Sequence, residues 1–134
     1  MPSTHQPGLA HRIPPKRILV VEDDPVAAHT IRTILAVDGH TVEVAQDGEQ
    51  ALVRFSAGDY DLVITDFKLA EMDGMELAAA IRQHSPAKPI ILITAYTEAI
   101  KGGLGKVSNV DLVLRKPFSV AELQAALGKV FPSS

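Results

Sequence analysis

A three-layer α/β sandwich, with helices on both faces of a parallel five-stranded sheet, is the fold class the sequence predicts, and three observations predict it. Short apolar runs alternate with helical patterns from residue 17 onward, as in successive βα units. The runs are continuous rather than alternating apolar with polar, as strands buried on both faces should be. Acids follow the first and third runs directly and a basic pair closes the fifth, so charge collects where an open parallel sheet binds its ligands, outside the carboxyl ends of its strands.

The elements follow in order. Residues 17–21 (RILVV) form the first strand, and Asp24-Pro25 starts the first helix, since Asp is a strong N-cap and Pro is favoured at the first helical position. Ala27, Ile31, Ile34 and Leu35 make its buried stripe and Gly39 ends it. Residues 41–45 are the second strand; Asp47 caps a second helix that runs to about Ala57 with Ala51, Leu52 and Phe55 inward, stopped by Gly58. The third strand covers 61–65 and gives way to a polar loop at 66–73, and the third helix runs from about Gly74 to Gln83 over Leu77, Ala78 and Ile81. Residues 89–94 (PIILIT) are the fourth strand. A helix belongs at 96–109, shortened or frayed by Gly102, Gly103 and Gly105, each costing about 1 kcal/mol relative to Ala. The fifth strand is read at 110–114, and Ser119 with Glu122 makes a capping box for a last helix carrying Leu123, Ala126, Leu127 and Val130 inward. Right-handed crossovers make the strand order 2-1-3-4-5, a flavodoxin-like arrangement with strands one and three adjacent at the switch point.

Composition narrows the function. The 134 residues, 46% hydrophobic and 22% charged, suit one domain. Residues 1–16, rich in Pro with two His, read as a disordered arm, and 132–134 as a short tail around a domain at 17–131. The absence of cysteine excludes disulfides, thiolate metal sites and thiol nucleophiles. A net charge of −3 offers no nucleic-acid footprint, and no apolar run reaches the roughly 20 residues a membrane span needs. The expectation is a soluble cytoplasmic protein that binds neither nucleic acid nor membrane.

Placing strands one and three side by side brings Glu22, Asp23 and Asp66 together. Clustered carboxylates repel unless a proton or cation intervenes, and hard oxygen ligands in a wet site suit Mg²⁺. A cation there also lets a carboxylate attack an anionic phosphoryl donor, and Asp is a known phosphoryl acceptor. Thr94 ends strand four at the same edge with a hydroxyl to offer a phosphate oxygen, and Lys116 after strand five supplies a point charge. Pro117 directly after it is a candidate for a cis bond that turns the lysine back over the rim.

The stretches VVEDDP, ITDFKLAEMDGMEL, ILITAY and LRKPF resemble the four signatures of the receiver domain of two-component response regulators, over about residues 17–130. The resemblance implies a phosphoacceptor at Asp66, fed by a phosphohistidine on a histidine kinase or histidine phosphotransfer protein. It implies Mg²⁺ held by Asp23, by Asp66, by the main-chain carbonyl of Lys68 and, through water, by Glu22. Thr94 matches the switch hydroxyl and Lys116 the phosphate-binding lysine. Lys68 and Tyr96 match the positions flanking the route of water to the phosphate, and so tune dephosphorylation. Such a domain assists its own phosphotransfer and is not a turnover enzyme. The output face is expected over residues 96–106, strand five and the last helix.

Two positions depart from the family pattern. Val113 stands where an aromatic commonly couples to the switch threonine, and Ala70 where the loop after the phosphoacceptor commonly has Pro. A dehalogenase-type phosphatase needs a second Asp two residues after the nucleophile, where this chain has Lys68, and a flavodoxin needs a hydroxyl- and glycine-rich loop where three acids stand. The alternative from a different class is a pseudo-receiver that docks partners without phosphorylation; the complete set of acids, Thr94 and Lys116 argues against it. The chain stops soon after the last helix, so any target or output domain is expected outside it, and a stand-alone receiver and one domain of a regulator or hybrid kinase both stay open.

Overall fold

A computed structural model describes residues 13–95 and 109–131. The elements are β1 (Arg17–Val21), α1 (Pro25–Val37), β2 (Thr41–Ala45), α2 (Gly48–Ala57), β3 (Leu62–Asp66), α3 (Gly74–His84), β4 (Ile90–Ala95), β5 (Leu112–Lys116) and a last described helix, here α4 (Val120–Val130). All strand pairs are parallel, in the order β2-β1-β3-β4-β5. The helix expected at 96–109 lies outside the described residues.

Period-two alternation divides the strands between two cores. Ile18, Val20, Leu62, Ile64, Ile91 and Ile93 point to one face, which is covered by Ile31 and Leu35 of α1 and by Leu123, Ala126 and Leu127 of α4. Leu19, Val21, Val63 and Ile90 point to the other, beneath Ala51 of α2 and Leu77, Ala78 and Ile81 of α3. Burial of both faces explains why the strands read as unbroken apolar runs. In α1 the fully buried alanine is Ala28, with the expected Ala27 half-buried beside it.

Local chemistry sets the helix ends. The Asp24 carboxylate accepts from the Val26 amide at 3.1 Å with Pro25 opening α1, and Asp47 accepts from Gln50 at 2.7 Å. Asp73 with Glu76, and Ser119 with Glu122, form reciprocal capping boxes on α3 and α4. At the other end of α1, Gly39 takes φ +94° while His40 and Gly39 amides donate back to Leu35 and Ala36 carbonyls, a Schellman motif that a side chain at Gly39 would strain.

The fifth strand is shifted two residues from the sequence expectation of 110–114. Asp111 is not a strand residue: its Oδ2 accepts from the Ile90 amide at 2.8 Å and from Arg82 Nη2 at 2.7 Å, closing the bottom of β4. Pairing then begins at Leu112 opposite Ile91 and continues until Lys116 stands opposite Ala95. Lys116 is therefore the last residue of the strand rather than a residue beyond it.

Candidate functional site

Register assembles the site. Val21 pairs with Thr65, so the next residues, Glu22 and Asp66, emerge side by side at the carboxyl edge; Asp66 in turn lies opposite Ile93, and Ile93 opposite Leu114. Glu22, Asp66 and Lys116 each continue the alternation of the face packed against α1 and α4, which is why three residues far apart in sequence converge. Lys116 lies two residues beyond Leu114, and its long side chain returns its Nζ to 3.2 Å from Asp66 Oδ2 and 3.5 Å from Glu22 Oε1.

Carboxylate oxygens of Glu22, Asp23 and Asp66 all lie within 4.8 Å of one another. Asp66 is 7% exposed and Glu22 2%, while Asp23 faces solvent. Glu22 is held by one oxygen: Oε2 accepts from the Asp24 amide at 3.1 Å, and the buried Oε1 has no hydrogen-bond partner. Burial pushes the Glu22 carboxyl up from 4.5 to about 7, offset in part by the Asp24 amide and reinforced by the charge of Asp66. Burial also works against the charge on Lys116, but the two carboxylates outweigh it and leave its pKa above the ordinary value.

Three close carboxylates facing one ammonium leave excess negative charge, and the oxygen of Glu22 without a hydrogen bond points into it. An all-oxygen donor set of this kind fits a hard divalent cation such as Mg²⁺.

The remaining residues singled out in the sequence fall as follows. Thr94 is fully buried on the same edge, one residue past Ile93 and paired with Arg115; its hydroxyl donates to the Ala95 carbonyl at 3.2 Å. The Lys116–Pro117 bond is cis. Lys68 is exposed in the loop after Asp66, and Tyr96 lies outside the described residues. Sequence reasoning missed Gly74. Its amide donates to the Phe67 carbonyl at 2.7 Å, and a Cβ there would stand 2.4 Å from the Asp66 carbonyl oxygen and 2.8 Å from Leu92 Cδ1. The α3 terminus thus packs directly on the backbone of Asp66; the signal available was the Asp73-Gly74 pair at a helix start.

Fold and site together define a doubly wound α/β domain with a metal-competent acidic pocket at its switch point and a lysine reaching into it. More particularly, the chain belongs to the response regulator receiver domain family, whose sequence pattern matches residues 18–128. It is 37% identical over 122 residues to the transcriptional regulatory protein TcrA of Mycobacterium tuberculosis, covering 90% of this chain and 48% of that protein. It is 33% identical over 113 residues to the transcriptional regulatory protein TrcR of the same organism, covering 84% and 44%. The chain thus spans about half the length of the curated relatives it matches. Among solved structures, the Thermotoga maritima response regulator TrrA in complex with Mg²⁺-BeF superposes with TM-score 0.78 at 36% identity, covering 86% of this chain and 98% of that one. The Vibrio cholerae chemotaxis protein CheY4 gives 0.79 at 29% identity, covering 87% and 99%.

Proposed function

We propose that this receiver domain accepts a phosphoryl group on Asp66 from a partner phosphohistidine, on a histidine kinase or histidine phosphotransfer protein. The observation that carries the reading is the Lys116 ammonium 3.2 Å from Asp66 Oδ2, within a pocket of three carboxylates lying inside 4.8 Å. A carboxylate oxygen of Asp66 attacks phosphorus, the P–N bond to the imidazole breaks, and the electron pair leaves with the histidine nitrogen. Asp23, Asp66, the Lys68 main-chain oxygen and, through water, Glu22 would hold Mg²⁺, which when bound neutralises charge on the phosphoryl oxygens. The Lys116 ammonium, now shared between Asp66 and Glu22, follows the new negative charge to a phosphoryl oxygen. The Thr94 hydroxyl turns from the Ala95 carbonyl to another.

Phosphorylation brings about −1.5 to −2 charge and three strong acceptors to the rim. Lys116 and Thr94 are joined by the β4–β5 pairing, so the response spreads to residues 96–106, β5 and α4, the proposed output face. The domain is a switch rather than a turnover enzyme, and the TrrA complex with Mg²⁺-BeF shows a relative at 36% identity accommodating this combination. No described helix is long and apolar enough to cross a membrane. Beryllofluoride titration followed by ¹⁹F NMR tests the site: a bound signal that needs Mg²⁺ and is lost in Asp66→Asn supports it, and a signal indifferent to either refutes it.

A further inference from the structure

The main chain just after Asp66 is held from three directions. The Thr65 hydroxyl donates to the Asp66 carbonyl at 2.9 Å, and the Phe67 amide, the other end of the same peptide group, donates to the Ile93 carbonyl at 2.7 Å. The next carbonyl, that of Phe67, accepts from the Gly74 amide at 2.7 Å. The first turn of α3 lies so near that a Cβ on Gly74 would stand 2.4 Å from the Asp66 carbonyl oxygen. Of these three bonds, the one from Thr65 comes from a side chain.

Nothing in the packing around Thr65 calls for a hydroxyl. Thr65 is fully buried, and alternation puts its side chain on the sheet face opposite the one that carries the Asp66 carboxylate. It follows Val63 on the face covered by α2 and α3, and its neighbours across the strands are Val21 and Leu92. Valine has nearly the same shape, forms strands as well and carries no polar atom to desolvate. A buried hydroxyl persists there because it is bonded, and its bond goes to the main chain of the proposed phosphoacceptor.

We propose that Thr65 is a positioning residue for phosphoryl transfer: from the far face of the sheet, its hydroxyl fixes the plane of the Asp66–Phe67 peptide. This role rests on the acceptor role proposed for Asp66, but the hold on the peptide does not. Two groups depend on that plane. The Asp66 carboxylate hangs from the Cα at one corner of it, and the Lys68 carbonyl, proposed to face Mg²⁺, lies two peptide groups further along the same loop. A peptide free to rock spreads both oxygens over a range of directions, whereas attack at phosphorus and the coordination shell of Mg²⁺ each need one. Thr65 touches neither phosphate nor metal; it acts through the main chain, as residues that orient metal ligands from behind do.

Thr65→Val removes the hydroxyl and keeps the branched shape, while Thr65→Ser keeps the hydroxyl and loses the methyl. Measurements on the full chain separate positioning from plain stability, which urea unfolding reads alongside. In metal-free protein, hydrogen exchange at the Phe67 amide should quicken about fivefold in Thr65→Val relative to the amides of β1, because one bond no longer holds its peptide. The dissociation constant for Mg²⁺, by isothermal titration calorimetry, should rise about tenfold, and the rate of Asp66 phosphorylation by acetyl phosphate at saturating Mg²⁺ should fall about tenfold. Thr65→Ser should return all of these to near the parent values, even with a lower urea midpoint. Phe67 exchange equal in parent and Thr65→Val, a urea midpoint that moves alone, or a Thr65→Ser protein as impaired as Thr65→Val would each overturn the positioning role. A parent chain that binds Mg²⁺ but takes up no phosphate counts against Asp66 as acceptor instead, and Phe67 exchange with Mg²⁺ affinity then decides whether Thr65 orients the loop.

Discussion

Gly74 offers the sharpest test of how the site is built. Replacing it by Ala places a methyl 2.4 Å from the carbonyl oxygen of Asp66, 2.8 Å from Leu92 Cδ1 and 3.0 Å from Phe67 Cα. Two of these neighbours are backbone, and one belongs to the residue whose carboxylate the site is organised around, so relief requires α3 and the end of β3 to separate. Overpacking of this kind costs about 1–3 kcal/mol, and contact with main chain puts Gly74→Ala at the upper end. That is a large share of a domain stability of about 5–15 kcal/mol. At about 1–3 kcal/mol per molar urea, the midpoint should fall by about 1–3 M. Gly128→Ala is the matched control, because nothing lies within 4 Å of a Cβ there and the helix gains about 0.5–1 kcal/mol from losing a glycine. The two substitutions should move urea midpoints in opposite directions. A Gly74→Ala protein within about 1 kcal/mol of the parent would refute the close approach of α3 to Asp66.

Other outcomes follow from the same geometry. Glu22 titrates near 4.5 when unfolded and at about 7 when folded, so the folded state binds more protons between those values. Stability of the metal-free protein is therefore full below the lower value and falls as pH rises through the higher one, by roughly 3 kcal/mol in all. Glu22→Gln should flatten that slope in urea unfolding with EDTA present; a slope unchanged by the substitution would contradict the burial argument. Asp111→Ala removes the acceptor for the Ile90 amide and the partner of Arg82, and should cost about 1–2 kcal/mol, mostly from the unpaired amide because the Asp111 end of the ion pair is partly open to solvent, which screens it. The family resemblance, not the geometry, sets Lys68 and Tyr96 beside the route of water to the phosphate; on that reading Lys68→Ala and Tyr96→Ala should shorten the acyl-phosphate lifetime in a phosphate-release assay, and equal rates in parent and variants would remove both residues from that role.

Much of this was legible in the sequence for definite reasons. Strands buried on both faces must be apolar throughout, so the polar residue that ends each one marks the rim, and Asp66 and Glu22 were found that way. Asp24-Pro25 and Gly39 announced the ends of α1 because only a few residue types satisfy exposed helix amides or adopt positive φ. The fifth strand was misplaced because hydrophobicity could not reveal that Asp111 spends its carboxylate on the Ile90 amide; that contact depends on the neighbouring strand's register. The same holds for Gly74, whose necessity comes from a backbone oxygen eight residues earlier, and for Lys16, whose ammonium finds Phe131 only after folding. The choice of Ala28 over Ala27 is a rotation of α1 too small for periodicity to resolve.

The central claim, that Asp66 is the phosphoryl acceptor of a Mg²⁺-dependent pocket, is tested most directly by mass spectrometry after incubation of the chain with acetyl phosphate and Mg²⁺. One added phosphate mapping to Asp66, absent in Asp66→Asn and in EDTA, and strongly reduced in Lys116→Ala, is the expected result. A chain that stays unmodified under conditions that phosphorylate a relative such as TrrA, or that carries the phosphate on another residue, would contradict it.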